Sequence, residues 1–481
     1  MRSLQALSGC SAVIVLLTLL APAFAGVVIH VPADQPTIAA GLGVAASGDT
    51  VLVACDTYYE SGLALPSGVT LKSAAYDSGC VVIDGSGTRA SILTCLGTTD
   101  ATVQGITFTN GSAPGGGAVN CNPASVLFDY CFFTNNHATT SGGAIYWGGG
   151  TPELVGCTFT GNTADGAGGG LVLYGTGGTV MGCDFVSNEA PWGAGVMAEQ
   201  LNTTTAFTEC EFTDNTATNI SRGGGGVWTG SQAAPTFFQC RFEQNDGSYG
   251  GAVCNWTEAS PTFMSCEFDG NTGYYGGGAV FGHDDHAVFD GCEFTFNEPS
   301  NGPGGASGGE LSDASFSYCS FYMNEAQYGG AISCENQSAL TVESSTIVEN
   351  VSNIGDGAGI CVWDDSSVSI DQTIIAFNRS GQAVYCELGS SATVTCSDVS
   401  DNDGGDWVGC LAGQEGAGGN LHVNPLICEV PINFLYLCAD SPCLPENNDC
   451  GERIGAYDEG CPACESPVEG QSWGAVKALY R

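Results

Sequence analysis

Several groups in this 481-residue chain have the residue types and spacing that chemistry uses. His283-Asp284-Asp285-His286 places two imidazoles around two carboxyls just after the apolar residues at Val280, where a projecting loop is expected. That composition suits acid–base work or a metal ion. Asp364-Asp365 is a second carboxyl pair, so Asp284, Asp285, Asp364 and Asp365 are the candidate catalytic residues. Asp401, Asp403 and Asp406 share a glycine-containing stretch with the oxygen chemistry of a calcium loop but without EF-hand spacing; calcium is the one cofactor the sequence suggests. Cys461-Pro462-Ala463-Cys464, with Cys443 and Cys450, could form half of a zinc site, but disulfides are favoured if the chain is exported. Four rings, Trp192, Tyr249, Tyr275 and Tyr328, each follow an asparagine by four residues and are candidate ligand-binding positions, because flat apolar faces suit stacking on sugars. For every one of these groups the commoner role is structural.

A repeat must position them. The phrase Cys-x-Phe-x-x-Asn begins at Cys131, Cys157, Cys183, Cys210, Cys240, Cys266, Cys292 and Cys319, and degenerate copies keep Asn110, Asn350, Asn378 and Asn402. The mean period is about 26.5 residues, in the range of solenoid repeats. A second phrase, as in Gly250-Gly251-Ala252-Val253 and Gly329-Gly330-Ala331-Ile332, falls between copies, and a short apolar run such as Thr236-Phe237-Phe238 precedes each cysteine. Three short strands per unit cannot bury their own apolar side chains, whereas stacking units about 4.8 Å apart pairs every strand and builds one continuous core. Cys and Phe at alternate positions should face inward. The asparagine should sit at the turn, where its tolerance of left-handed backbone helps. The expected fold is all-β, a single-stranded right-handed parallel β-helix of at least twelve coils, the hand following from the general crossover rule. A short amphipathic helix with Ile38, Leu42 and Ala46 on one face should cap the first coils, and a cysteine-rich segment should cap the last.

The expected organisation is a signal peptide over 1–25, an N-terminal cap and first coils over 26–104, β-helix repeats over 105–402, cysteine-rich closing coils over 403–464, and a linker and short tail over 465–481. The signal is read from Arg2, the apolar run 12–20 and Ala23-Phe24-Ala25. The mature chain has no apolar stretch long enough for a transmembrane helix. Secretion, or residence at the cell envelope or outer-membrane surface, is therefore expected. With 51 acidic against 9 basic residues the net charge is −42, which excludes a nucleic-acid partner. The outward residues after the cysteines, Asp184, Glu211, Arg241, Glu267 and Glu293, would form one charged row, more often a solvated face than a calcium site.

The alternating phrases Phe159-Thr160-Gly161-Asn162, Phe212-Thr213-Asp214-Asn215 and Gly329-Gly330-Ala331-Ile332 resemble the repeats of polymorphic outer-membrane proteins, over roughly residues 105–400. The opening stretch, Val31-Pro32-Ala33-Asp34-Gln35-Pro36-Thr37-Ile38, is similar to that of exported pectin-lyase-like β-helix proteins. The first resemblance implies a surface-exposed passenger, although nothing in this chain looks like the membrane barrel that usually ends such proteins. The second implies an enzyme, but pectate lyases of this fold use arginine and a basic cleft. Between residues 26 and 460 the basic residues are only Lys72, Arg89, Arg222, Arg241, Arg379 and Arg453. The sequence therefore leans away from catalysis. It favours an exported structural or adhesive rod whose acidic face binds a cell surface, glycan or protein. The alternative is a secreted polysaccharide-degrading enzyme, a hydrolase or lyase.

Overall fold

The computed structural model describes residues 26–75, 79–219, 221–387, 389–430 and 434–464; the expected signal peptide and the tail from 465 lie outside them. The chain winds into a parallel β-solenoid whose walls are three long sheets, of 15, 14 and 13 strands. In each central coil the first sheet takes the strand before the cysteine (Thr236–Phe238), the second the strand after it (Arg241–Glu243), and the third the strand after the glycine pair (Val253–Ala259). A fourth, seven-stranded sheet of short strands, such as Thr272–Gly273, lines the corner beyond the asparagines from Asn110 to Asn271.

The cysteine and phenylalanine of each phrase do point inward, and register is kept without a slip, as in Phe212↔Phe242↔Phe268. The second-sheet rings from Phe108 to Phe321 stack nearly parallel at 4.6–5.3 Å. A second column, Phe207–Phe237–Phe263–Phe289–Phe316, stacks in the first sheet and meets the other edge-on. Such contacts add to the area that each ring removes from water.

The asparagine does something other than take a left-handed turn. That conformation falls on the residue before it: Asn135, Gly161, Ser187, Asp214, Gln244 and their equivalents. The asparagine itself is buried, and its side chain holds three neighbours. Asn245 donates its Nδ2–H to the Phe212 carbonyl at 2.8 Å and to Asn271 Oδ1 at 3.0 Å. Its own Oδ1 accepts the backbone N–H and the Nδ2–H of Asn215. This ladder runs from Asn136 to Asn402, where Asp406 Oδ1 accepts the last two donors. Asn110 is not part of it; it takes the left-handed position, and Gly111 donates to Asn136 in its stead.

The eight core cysteines are not bridged to one another. They belong to a set of 14 buried free thiols among the described residues, and burial pushes those of Cys157, Cys183, Cys210 and Cys292 well up. Disulfides join Cys55–Cys80, Cys386–Cys410, Cys396–Cys450, Cys428–Cys461 and Cys438–Cys464. Of the four cysteines expected to pair, Cys443 is the exception. It is a buried thiol packed beside the carboxyl of Asp398, and no zinc set forms around it.

The capping helix is Ile38–Val44, with Thr37 as N-cap. Ala46 lies beyond it and is exposed; Gly41 takes the place on the buried face, where a Cβ would press on Val51 and Val31. At the other end Trp407 and Leu411 plug the core. The cysteine-rich segment does more than close that end. It folds back along the outer face of the second sheet, packing Leu435, Leu437, Leu444 and Ile454 against Val348, Ile374 and Ala376. Tyr457 reaches Glu293 Oε1 at 2.9 Å. Among the described residues no helix is long and apolar enough to cross a membrane.

Two outcomes follow from this interior. Asn245→Ala takes the partner from the Asn215 backbone N–H, from one Asn215 Nδ2–H and from the Phe212 carbonyl, and should cost about 3 kcal/mol in urea unfolding, with an unchanged slope. Under non-reducing conditions a thiol reagent should leave the 14 buried thiols untouched in native protein and label them all in guanidinium.

Candidate functional site

The third sheet carries chemistry on its outer face because two residues in each strand point away from the core. Outward register aligns Trp228↔Cys254↔Phe281↔Gly308↔Ser333 in one row. A parallel row aligns Gly230↔Trp256↔His283↔Glu310↔Glu335, one residue per coil. The second row is a column of dissimilar groups in contact. The Arg222 guanidinium lies 4.7 Å from the centre of the Trp256 ring. Trp256 stacks on His283 with centroids 4.2 Å apart, and His283 Nδ1 is 3.3 Å from Glu310 Oε2.

Aromatic residues from the preceding corner fold over this face. Tyr249 packs on Phe281 at 4.8 Å and lies 6.0 Å from Tyr275, and Tyr328 stacks on Trp363 at 4.2 Å. Trp192 covers Trp228. Between these flanks the coil carrying Glu310 turns through Gly302-Pro303-Gly304 and contributes no ring, and the Glu310 side chain is 38% exposed. Tyr274 and Tyr275 are exposed at this corner, and Tyr174 is exposed further along the same outward row.

Glu335 differs from its neighbour. Burial pushes its carboxyl up to about 7, reinforced by repulsion from Glu310 and Asp364 and opposed by the nearby Ser333 hydroxyl. Ser333 is nevertheless outside hydrogen-bonding geometry, and both its Oγ and Glu335 Oε1 are buried without a partner. Seven buried side-chain polar atoms lack a partner among the described residues. Five of them, on Trp192, Trp228, Ser333, Glu335 and Trp363, sit on or beside this face. Buried polar groups are normally satisfied, so their concentration marks a surface that a polar ligand or water would complete.

The sequence candidates are distributed around this strip. His283 is in it, on the strand Val280–Asp285 and not in a projecting loop. Asp284 is at a left-handed position of that strand, and His286 is paired with Asp313. Asp285 turns into the solenoid, where it accepts from Asn255 at 3.0 Å beside a cavity of about 10 Å³, room for one water. Asp364 and Asp365 occupy an exposed left-handed turn; Asp364 acts on Glu335 only through its charge. Asp401, Asp403 and Asp406 do not converge. Asp406 ends the asparagine ladder and holds His422 at 3.0 Å, and Asp403 caps Ser380. No group of three His, Cys, Asp or Glu able to hold a metal occurs among the described residues. The acidic row on the second sheet is real, but Arg241 pairs within it to Glu267 and Tyr457 covers Glu293.

Glu310, Glu335, Trp256, Trp363 and Arg222 were not singled out from sequence. Aligning the repeats on the glycine pair would have found most of them: Glu199, Trp256, His283, Glu310 and Glu335 all stand three residues after the first aliphatic or serine position of the strand.

The family described as "Right handed beta helix region" matches residues 91–272 and 251–415. The chain belongs to the right-handed β-helix family. Among solved structures, the β-helix is similar to a mannuronic acid specific polysaccharide family 6 lyase enzyme from human gut microbiota. The identity is 13% with a TM-score of 0.39, over 74% of this chain and 80% of that one. No curated protein matches it.

The Glu335 environment has a measurable consequence. The unfolded carboxyl titrates near 4.5 and the folded one near 7, so between these values the folded state binds the extra proton. Stability should fall as pH rises through that window, by about 2–3 kcal/mol. Glu335→Gln should remove this loss, matching wild type below about pH 4 and exceeding it at pH 8 in urea unfolding.

Proposed function

We propose that this protein is an exported carbohydrate-binding rod whose third-sheet face, from Trp228 to Trp363, contacts the glycan. The observation that carries this reading is the coincidence, on one strip, of aromatic rings from successive coils with buried polar atoms that lack partners. Sugar rings present apolar faces for stacking and hydroxyls for exchange with such atoms. A solenoid supplies the complementary geometry, an extended surface with a fixed repeat that suits a polymer. Export rests on the N-terminal leader pattern and on the disulfides at both ends of the rod. Residence at a cell surface rests on the resemblance of the repeats to those of polymorphic outer-membrane proteins.

The binding face is thus moved from the acidic row of the second sheet, where the C-terminal segment occupies part of the surface, to the aromatic strip of the third. Incubated with insoluble polysaccharides and centrifuged, the protein should deplete from the supernatant. Tyr275→Ala and Tyr328→Ala should each weaken depletion about tenfold, within the range expected of a lost aromatic anchor. Glu267→Gln on the second sheet should leave it unchanged. Depletion by no polymer, or tyrosine variants that bind like wild type, would remove the basis for this reading.

A further inference from the structure

We propose that Glu335 and Glu310 are the acid and the nucleophile of a glycoside hydrolase site for neutral glycans, an inference that rests on the carbohydrate-binding reading of the same strip. The two side chains are register partners on adjacent strands, so their backbones are one coil apart, about 4.8 Å. Their carboxyls are close enough for the charge of Glu310 to act on Glu335, and double displacement at an anomeric carbon uses two carboxyls about 5 Å apart, a separation that side chains rising from neighbouring coils can adopt. Their surroundings divide the roles. Glu335 has one oxygen buried and unpartnered next to Ser333, which is itself 1% exposed with an unpartnered hydroxyl. Glu310 is more open and lies against the His283 imidazole. The elevated titration of Glu335 supports the division, because a carboxyl still protonated near neutrality can give its proton away. Rings flank the pair along the solenoid axis, with Tyr328 and Trp363 on one side and Trp256 and Tyr249 on the other. A chain laid along the axis would therefore meet aromatic side chains on each side of the reacting bond.

Charge selects the substrate. Glu310, Glu335 and Asp364 crowd one face of a chain with net charge −42, and the nearby Arg222 is engaged on the Trp256 ring. A uronate polymer would be repelled, whereas a neutral one would not. In the first step Glu335 gives its proton to the glycosidic oxygen as the anomeric C–O bond breaks. The Glu310 carboxylate bonds to the anomeric carbon, and the leaving sugar departs with a hydroxyl. In the second step water attacks that carbon and passes its proton to Glu335, and the bond to Glu310 breaks. One water is consumed and both side chains return to their starting states.

The test uses the full chain with cellulose, xylan, mannan, mixed-linkage β-glucan and starch, and with alginate and polygalacturonate as acidic polymers. Protein depletion and new reducing ends are scored in the same tubes. The expected result is new ends from a neutral polymer, with a rate falling above about pH 7. Glu335→Gln and Glu310→Gln should each lower it at least about 1,000-fold while depletion persists, which shows that the variants are folded. Depletion without new ends overturns the hydrolase proposal and leaves the binding reading standing; depletion by no polymer overturns both. New ends formed only from the acidic polymers, or undiminished activity in both variants, overturns the assignment of substrate and residues.

Discussion

The asparagine ladder sets the terms for everything else in this molecule. Each rung ties one coil to the next through a side-chain amide that serves the backbone N–H and side chain of the previous rung and the carbonyl of a phenylalanine in the previous coil. A buried amide with all its bonds made fixes a position more tightly than apolar contact can, because any slip leaves donors and acceptors without water or partner. The phenylalanine columns and the cysteine row then stack at a spacing they did not choose. Their contribution is area, whereas the ladder supplies register.

Register is what turns a repetitive rod into something that can hold a site. Once every coil is locked to its neighbours, a residue four positions into a third-sheet strand always lands above its counterpart. A column can then read tryptophan, histidine, glutamate, glutamate without any loop to aim them, with Arg222 added from a turn at one end. The first four residues of each strand keep one register along the strip, so each environment is made by small differences. One corner lacks a ring and leaves Glu310 open; the next carries Tyr328, close enough to Glu335 to feel its charge, and Glu335 is the more buried of the two.

How much of this was legible in the sequence follows from the same logic. The coils, the inward Cys and Phe, and the helix over Ile38–Val44 were readable because they depend on period and polarity, which one copy shares with the next. The asparagine's role was misplaced, since a residue at a turn and a residue one step past it look alike without coordinates. Glu310 and Glu335 escaped notice for the opposite reason. They break no pattern locally and acquire meaning only across coils, from residues 25 or more positions away. Asp284 and Asp285 attracted attention as adjacent carboxyls, yet neighbours in a strand point to opposite sides, and Asp364 and Asp365 fall in an exposed turn between strands.

The back-folded C-terminal segment gives the rod a polarity. Tyr457, Ala456 and Gly455 fasten to the strands at Glu293, Ser320, Thr346 and Gln372, and Cys450 is bonded to Cys396, so a single strap spans the last five coils on one side. The opposite end has a helix of seven residues and one disulfide. In a one-dimensional array, where each unit is held only by its neighbours, fraying starts at the less fastened terminus. Unwinding should therefore travel from the first coils towards the last, and the strip on the third sheet lies at the protected end of that path.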